Sequence, residues 1–230
     1  MSIRVASIAG AALVLASASI ASGATYSFVN ITGNDVANAA AGEAQLSVEV
    51  TSYSASQVLF TFKNVGADAM SITDVYFDDG SLLGLAFLID ADDNGGDSGV
   101  DFSQGASPPN LPGGNGINFN TTAGFLADSD PPAQPNGVNP GETLGVVFNL
   151  VGGQTLADVI AALDLGLANP GQDVVGGLRI GIHVQGFANG GSESFVNGDD
   201  PDSPPDSVPL PGPAALGLAG LAPLALRRRR

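Results

Sequence analysis

The residues whose spacing most resembles a chemical site run Asp90-Ala91-Asp92-Asp93-Asn94-Gly95-Gly96-Asp97-Ser98-Gly99-Val100-Asp101. Against the pattern D-x-[DN]-x-[DN]-G-x₅-E, Asp90, Asp92 and Asn94 take the first, third and fifth places and Gly95 the sixth. Ser98 falls at the ninth place and Asp101 at the twelfth. Calcium takes about six to eight oxygen ligands, and this spacing turns alternate side chains inward around a glycine. Three features depart from the pattern. The twelfth residue is the shorter Asp101, the eighth is Asp97 where a hydrophobe is usual, and the flanks read as strands. A calcium loop and a solvated acidic hairpin loop are both compatible with these residues.

Other site chemistry is thin. His183 is the only histidine, so any Ser-His-Asp arrangement must use it, and no G-x-S-x-G elbow is present. It falls within a strand-like stretch, where a lone histidine reads as a packed or hydrogen-bonded side chain. A three-histidine zinc centre is impossible. Cysteine is absent, which removes thiol chemistry and disulfides. The 23 acidic residues offer many carboxylate pairs for glycoside cleavage, but no spacing singles one out. Aromatic platforms are few: tryptophan is absent and tyrosine occurs at 26, 53 and 76. A hydrolase is the weakest of the readings.

The two ends differ from everything between them. Arg4, the apolar run Val5 to Ile20 and the small residues Ala21-Ser22-Gly23-Ala24 form a secretory signal peptide over 1–24, cut after Ala24. At the other end, Val208-Pro209-Leu210-Pro211 precedes an apolar run to Leu226 and then Arg227, Arg228, Arg229 and Arg230. Such a run can enter a bilayer, with its arginines retained on the cytoplasmic side. Only Lys63 and Arg179 remain as cations in the body, against 23 carboxylates. That balance excludes nucleic acid and anionic membrane surfaces as partners. Cations and neutral polymers stay open.

Taken whole, the stretch 208–230 resembles the PEP-CTERM sorting signal of exported bacterial proteins: a proline motif, an apolar helix and a terminal arginine cluster. Leu210 stands where the commoner motif has Glu, which matches the VPLP-type variant. The resemblance implies export through the Sec machinery and signal peptidase, transient membrane insertion of the tail, and processing by an exosortase. The destination it implies is the cell surface or extracellular matrix, in association with exopolysaccharide or biofilm.

Between the ends, glycine, proline, asparagine and aspartate separate short alternating runs, the composition of an all-β domain. Leu46, Val48 and Val50 alternate, as do Val58, Phe60 and Phe62, and Ser52 to Ser56 is hairpin length. Asn34 to Gly42 reads as turn-like. Asp78-Asp79-Gly80 reads as turn chemistry ahead of a strand from Leu82 to Ile89, and residues 90–140 as mostly loop. One helix is predicted over 154–163, capped by Thr155, with Leu156, Val159, Ile160 and Leu163 on one face. Residues 178–187 alternate most strongly, with Leu178, Ile180, Ile182 and Val184 inward and Arg179, Gly181, His183 and Gln185 opposite.

The expected architecture is a two-sheet antiparallel β-sandwich, jelly-roll-like, over 25–197 with one short helix. An acidic proline-rich spacer covers 198–207 and the transmembrane sorting tail 208–230. Phe77 to Gly80, Asn136 to Glu142, Thr155 to Val159 and Leu178 to Phe187 also resemble a recurrent domain of exported PEP-CTERM proteins. That domain has no assigned activity, so no catalytic residues carry over. The expectation is a non-enzymatic surface or matrix protein. The alternative is a calcium-stabilised carbohydrate-binding module.

Overall fold

The computed structural model describes residues 23–78, 83–90, 94–127, 136–169 and 171–198. The chain opens with β1 (Ala24–Asn30), α1 (Val36–Gln45), β2 (Leu46–Ser54) and β3 (Gln57–Asn64). It continues through β4 (Ser71–Asp78), β5 (Leu83–Ile89), β6 (Phe102–Gln104), β7 (Ala123–Ala127) and β8 (Thr143–Leu150). It closes with α2 (Leu156–Leu167), β9 (Arg179–Gln185) and β10 (Ser192–Gly198). The fold is mostly β, and every strand pairing is antiparallel.

The strands form one ten-stranded sheet in the order β5-β8-β3-β2-β1-β10-β9-β4-β7-β6, not the two expected. Alternation along a strand sets which side chains face inward, but it does not say where hydrogen bonding breaks. Here it does not break, because β1 pairs with β2 on one side and with β10 on the other. The first and last strands thus bridge two halves that a sandwich would keep apart. The sheet rolls instead of splitting. Phe60 on β3 meets Phe77 on β4 at 5.1 Å, and Phe77 meets Phe148 on β8 at 4.8 Å, both edge to face. These edge-to-face pairs close the core between the two halves.

The β2–β3 hairpin forms as its spacing predicts, with Val48 opposite Phe62 and Val50 opposite Phe60. β4 and β5 do not pair. β4 lies between β9 and β7, while β5 pairs with β8 in the other half of the sheet. The turn residues between them, 79–82, lie outside the described residues.

A second helix, α1, occupies the stretch expected to be a turn. Asp35 caps it by accepting from the N–H groups of Ala37 and Asn38. Half of the run is alanine, a strong helix former that gives no broad apolar stripe, so periodicity gives little sign of it. Its inward face is small and polar, Asn38, Gly42 and Gln45, and Gly42 lies against the Phe195 ring. α2 forms where predicted and runs four residues further, to Leu167, behind a capping box between Thr155 and Asp158. Leu156, Val159 and Leu163 enter the core, and the N–H of Leu178 donates to the Ala162 carbonyl at 2.9 Å.

Candidate functional site

On the outer face of the sheet, antiparallel register sets Asp74 opposite His183, Tyr76 opposite Gly181 and Asp78 opposite Arg179. The chain between β6 and β7 folds back over this row as a strap. Leu111 of the strap packs on Gly181 and joins Tyr76, Phe119 and Val196 in a small second core. Gly181 leaves the room that Leu111 fills, since a Cβ there would come within 2.6 Å of a Leu111 methyl.

Both ends of the strap are tied to charged groups of the sheet. Arg179 pairs with Asp78, and both are buried. Arg179 also donates to the carbonyls of Ile117 and Asn118, and the Phe119 ring lies 5.3 Å from the guanidinium carbon. Asp78 also accepts the N–H of Asn120 at 3.1 Å. A buried ion pair recovers its desolvation only when spare donors and acceptors are also satisfied, and the strap backbone does that here. Asp78, expected to serve a turn, is instead a strand residue that holds the strap.

At the other end, Tyr76 donates its hydroxyl proton to the Pro108 carbonyl at 3.0 Å. Burial pushes the Tyr76 phenol far above its ordinary range, and the neighbouring Asp74 carboxylate adds to the shift. The phenol therefore stays a donor. Asp74 accepts the N–H of Ser107 through Oδ1 at 3.1 Å. Its Oδ2 lies 3.1 Å from Thr73 Oγ1, which donates, and 3.3 Å from His183 Nδ1. Gln185 Nε2 lies 3.3 Å from Thr73 Oγ1 and 3.5 Å from His183 Nδ1. Ser194 stands opposite His183 on β10, and its hydroxyl is buried without a partner.

A third polar cluster anchors α1. The buried Glu193 carboxylate accepts from Asn30 Nδ2, Thr32 Oγ1 and the N–H groups of Asn34 and Asp35. Burial alone would raise its pKa. The hydrogen bonds from Thr32, Asn30, Asp35 and Asn34 outweigh that and hold it below the ordinary value.

Within the acidic loop, Asp90 is fully buried at the end of β5, and its Oδ2 accepts the N–H of Phe102 at 3.0 Å. Asn94 donates its amide to the Leu88 carbonyl at 2.8 Å. Ser98 is exposed, Asp101 is half-buried and donates its N–H to the Asn136 carbonyl, and Asp92 lies outside the described residues. Asp97, which departs from the calcium pattern, accepts the N–H and hydroxyl of Thr143. Among the described residues no three acidic or histidine side chains gather as a metal site would need. Val208, Pro209, Leu210, Pro211 and Arg227 to Arg230 also lie outside the described residues.

No protein-family model, curated protein or solved structure matches the chain.

The polar row on β4 and β9 is only half visible in sequence. The alternation of residues 178–187 puts Arg179, His183 and Gln185 on one face, as they are found. Nothing local, however, announces Asp74 or Asp78 as their partners 109 and 101 residues away.

Proposed function

We propose that this is an exported, non-enzymatic protein of the cell surface or extracellular matrix, delivered by Sec and sorted through its tail by an exosortase. The observation that carries the reading is the tail itself: a Val-Pro-Leu-Pro motif, an apolar run and four closing arginines, opposite a signal-peptide-like start. Support comes from the body, whose polar residues bind one another. Asp74, Asp78, Arg179 and Glu193 each spend their charge on internal partners, and the Asp74–His183 pair is roofed by the strap. Lys63, the other cation of the body, pairs with Glu49. An exterior of that kind suits a neutral hydrated polymer such as exopolysaccharide better than a polyanion.

Mass spectrometry of the native C-terminus tests this. A terminus clipped at or near residues 208–211 is expected, and an intact arginine-bearing terminus on a protein found in the cytosol would end the proposal.

The calcium-stabilised carbohydrate-binding reading keeps one observation in its favour. Asn94 and Gly95 both hold positive φ, 57° and 79°, the tight turn that the spacing requires at its centre. Against it, Asp90 and Asn94 already bond to backbone groups at the edge of the sheet. Thermal melting with calcium and with EDTA decides: an unchanged midpoint removes the ion.

A further inference from the structure

The cluster at Thr73, Asp74, His183 and Gln185 has the parts of a covalent crosslink. Its geometry begins with a bulge. Ile72 pairs with Val184 and Asp74 with His183, so Thr73 is an extra residue between two ladder pairs. A bulge of this kind breaks the alternation of faces. Thr73 and Asp74 consequently both reach the outer row, where Gln185 and His183 also lie. Thr73 and Asp74 are fully buried, His183 nearly so and Gln185 partly.

Three contacts define a reaction path. The Thr73 hydroxyl has two acceptors in reach, Asp74 Oδ2 at 3.1 Å and the His183 carbonyl at 3.3 Å, and Asp74 is the nearer. The Thr73 oxygen accepts an N–H of the Gln185 carboxamide at 3.3 Å, which sets that amide against the hydroxyl. His183 Nδ1 lies 3.5 Å from that nitrogen and 3.3 Å from Asp74, between the carboxylate and the leaving group. A hydroxyl, a carboxylate, a carboxamide and an imidazole are therefore held in one site. Holding reactants in this way replaces a bimolecular encounter with effective concentrations on the order of 10⁵ M or more.

We propose that Thr73 and Gln185 join through an intramolecular ester that the folded protein makes itself, once. Asp74 takes the Thr73 hydroxyl proton as Oγ1 attacks Cδ of Gln185, and the new C–O bond gives a tetrahedral intermediate. The C–N bond then breaks, and the nitrogen leaves as ammonia with the proton that Asp74 accepted, relayed through His183. One hydroxyl and one amide become one ester and one ammonia, with no oxidant and no water consumed. Thr73 is fully buried, which keeps water from the alcohol side of the ester. A chain with no cysteine that works outside the cell gains in this way a staple across a loop of 112 residues.

The sequence supplies a convenient assay. Lys63 and Arg179 are the only tryptic sites in the body, so trypsin separates Thr73 from Gln185 unless they are bonded. The full chain is purified, denatured and weighed intact, then digested. The expected result is an intact mass short by one ammonia and a single species joining peptides 64–179 and 180–227. Mild alkali should part this species into its two halves with addition of water. Gln185→Ala, at a partly exposed position, should restore the full mass and release two separate peptides. Asp74→Asn should leave the bond unformed in a protein that still folds. Full mass with two free peptides from the unmodified chain overturns the proposal. An ammonia loss that persists in Gln185→Ala overturns it as well, since it would then arise elsewhere.

Discussion

The Asp90 carboxylate accepts the backbone N–H of Phe102 at 3.0 Å, and this bond links the two free edges of the sheet. Asp90 directly follows β5, the first strand in the spatial order, and Phe102 begins β6, the last. The residue that opens the calcium-like pattern therefore acts as a clasp on a nearly closed roll. Its charge is fully buried and its oxygen faces a strand-edge amide that no ladder partner satisfies.

Asp90→Ala is expected to destabilise by about 1.5–3 kcal/mol, the usual cost of losing a hydrogen bond to a charged group. Asp90→Asn keeps an acceptor for Phe102 and should lose less than half of that. Urea midpoints at constant slope check both. A metal ligand would behave differently, since Asn at the first position would weaken the site almost as much as Ala, and only with calcium present.

The Asp78–Arg179 pair carries a second prediction. Arg179→Leu leaves Asp78 buried without a counter-charge and removes the donor shared by the carbonyls of Ile117 and Asn118. Breaking a buried pair from one side costs about 3–5 kcal/mol, whereas replacing both partners with apolar residues is often neutral. The double variant Asp78→Leu, Arg179→Leu should therefore recover most of the loss. Hydrogen exchange at the Asn120 amide reports strap release directly, because that N–H is bound to Asp78. It should accelerate in the single variant.

How much of this could be read in advance depends on the range of each interaction. The inward residues of β2, β3 and β9 follow from period-two alternation, and α2 from its cap and apolar stripe, because both signals lie within a dozen residues. The single sheet does not follow, because it rests on β1 meeting β10 from opposite ends of the body. The strap was hidden for a related reason. Its glycines, prolines and asparagines announce a loop, but the places where Leu111 and Phe119 land depend on the gap above Gly181 and on Arg179 in distant β9. Asp90 shows the limit of a motif: six residues at the right intervals fit two chemistries, and only the partner across the seam separates them.

Acid sensitivity should begin at Glu193. Its pKa in the folded chain lies below the ordinary 4.5, held there by four donors against the opposing effect of burial. A depressed carboxylate contributes its full stability above the unfolded value and loses it as pH falls through the folded one. The contribution is therefore complete above about pH 4.5 and declines below it. Glu193→Gln should flatten that acid limb, at some cost in stability near neutral pH. Because Glu193 binds the N–H of Asp35, the residue that caps α1, the helical circular dichroism signal should fall first on acidification.

Ser194 makes the opposite kind of prediction. Its N–H donates to Thr32 and its carbonyl accepts from Ile31, so its backbone is satisfied, but its hydroxyl is buried with no partner. A hydroxyl in that position forgoes its bonds to water and recovers nothing in the fold, a cost of about 1–3 kcal/mol. Ser194→Ala removes the group and keeps the Cβ, leaving little space behind. The variant should be neutral or more stable by up to about 1 kcal/mol, while variants that cut satisfied bonds, such as Arg179→Leu, lose stability. Thermal melting compares them directly. A marked loss of stability on Ser194→Ala would mean that the hydroxyl does bond the facing His183 ring, and that ring could not then be relaying a proton toward Gln185 alone.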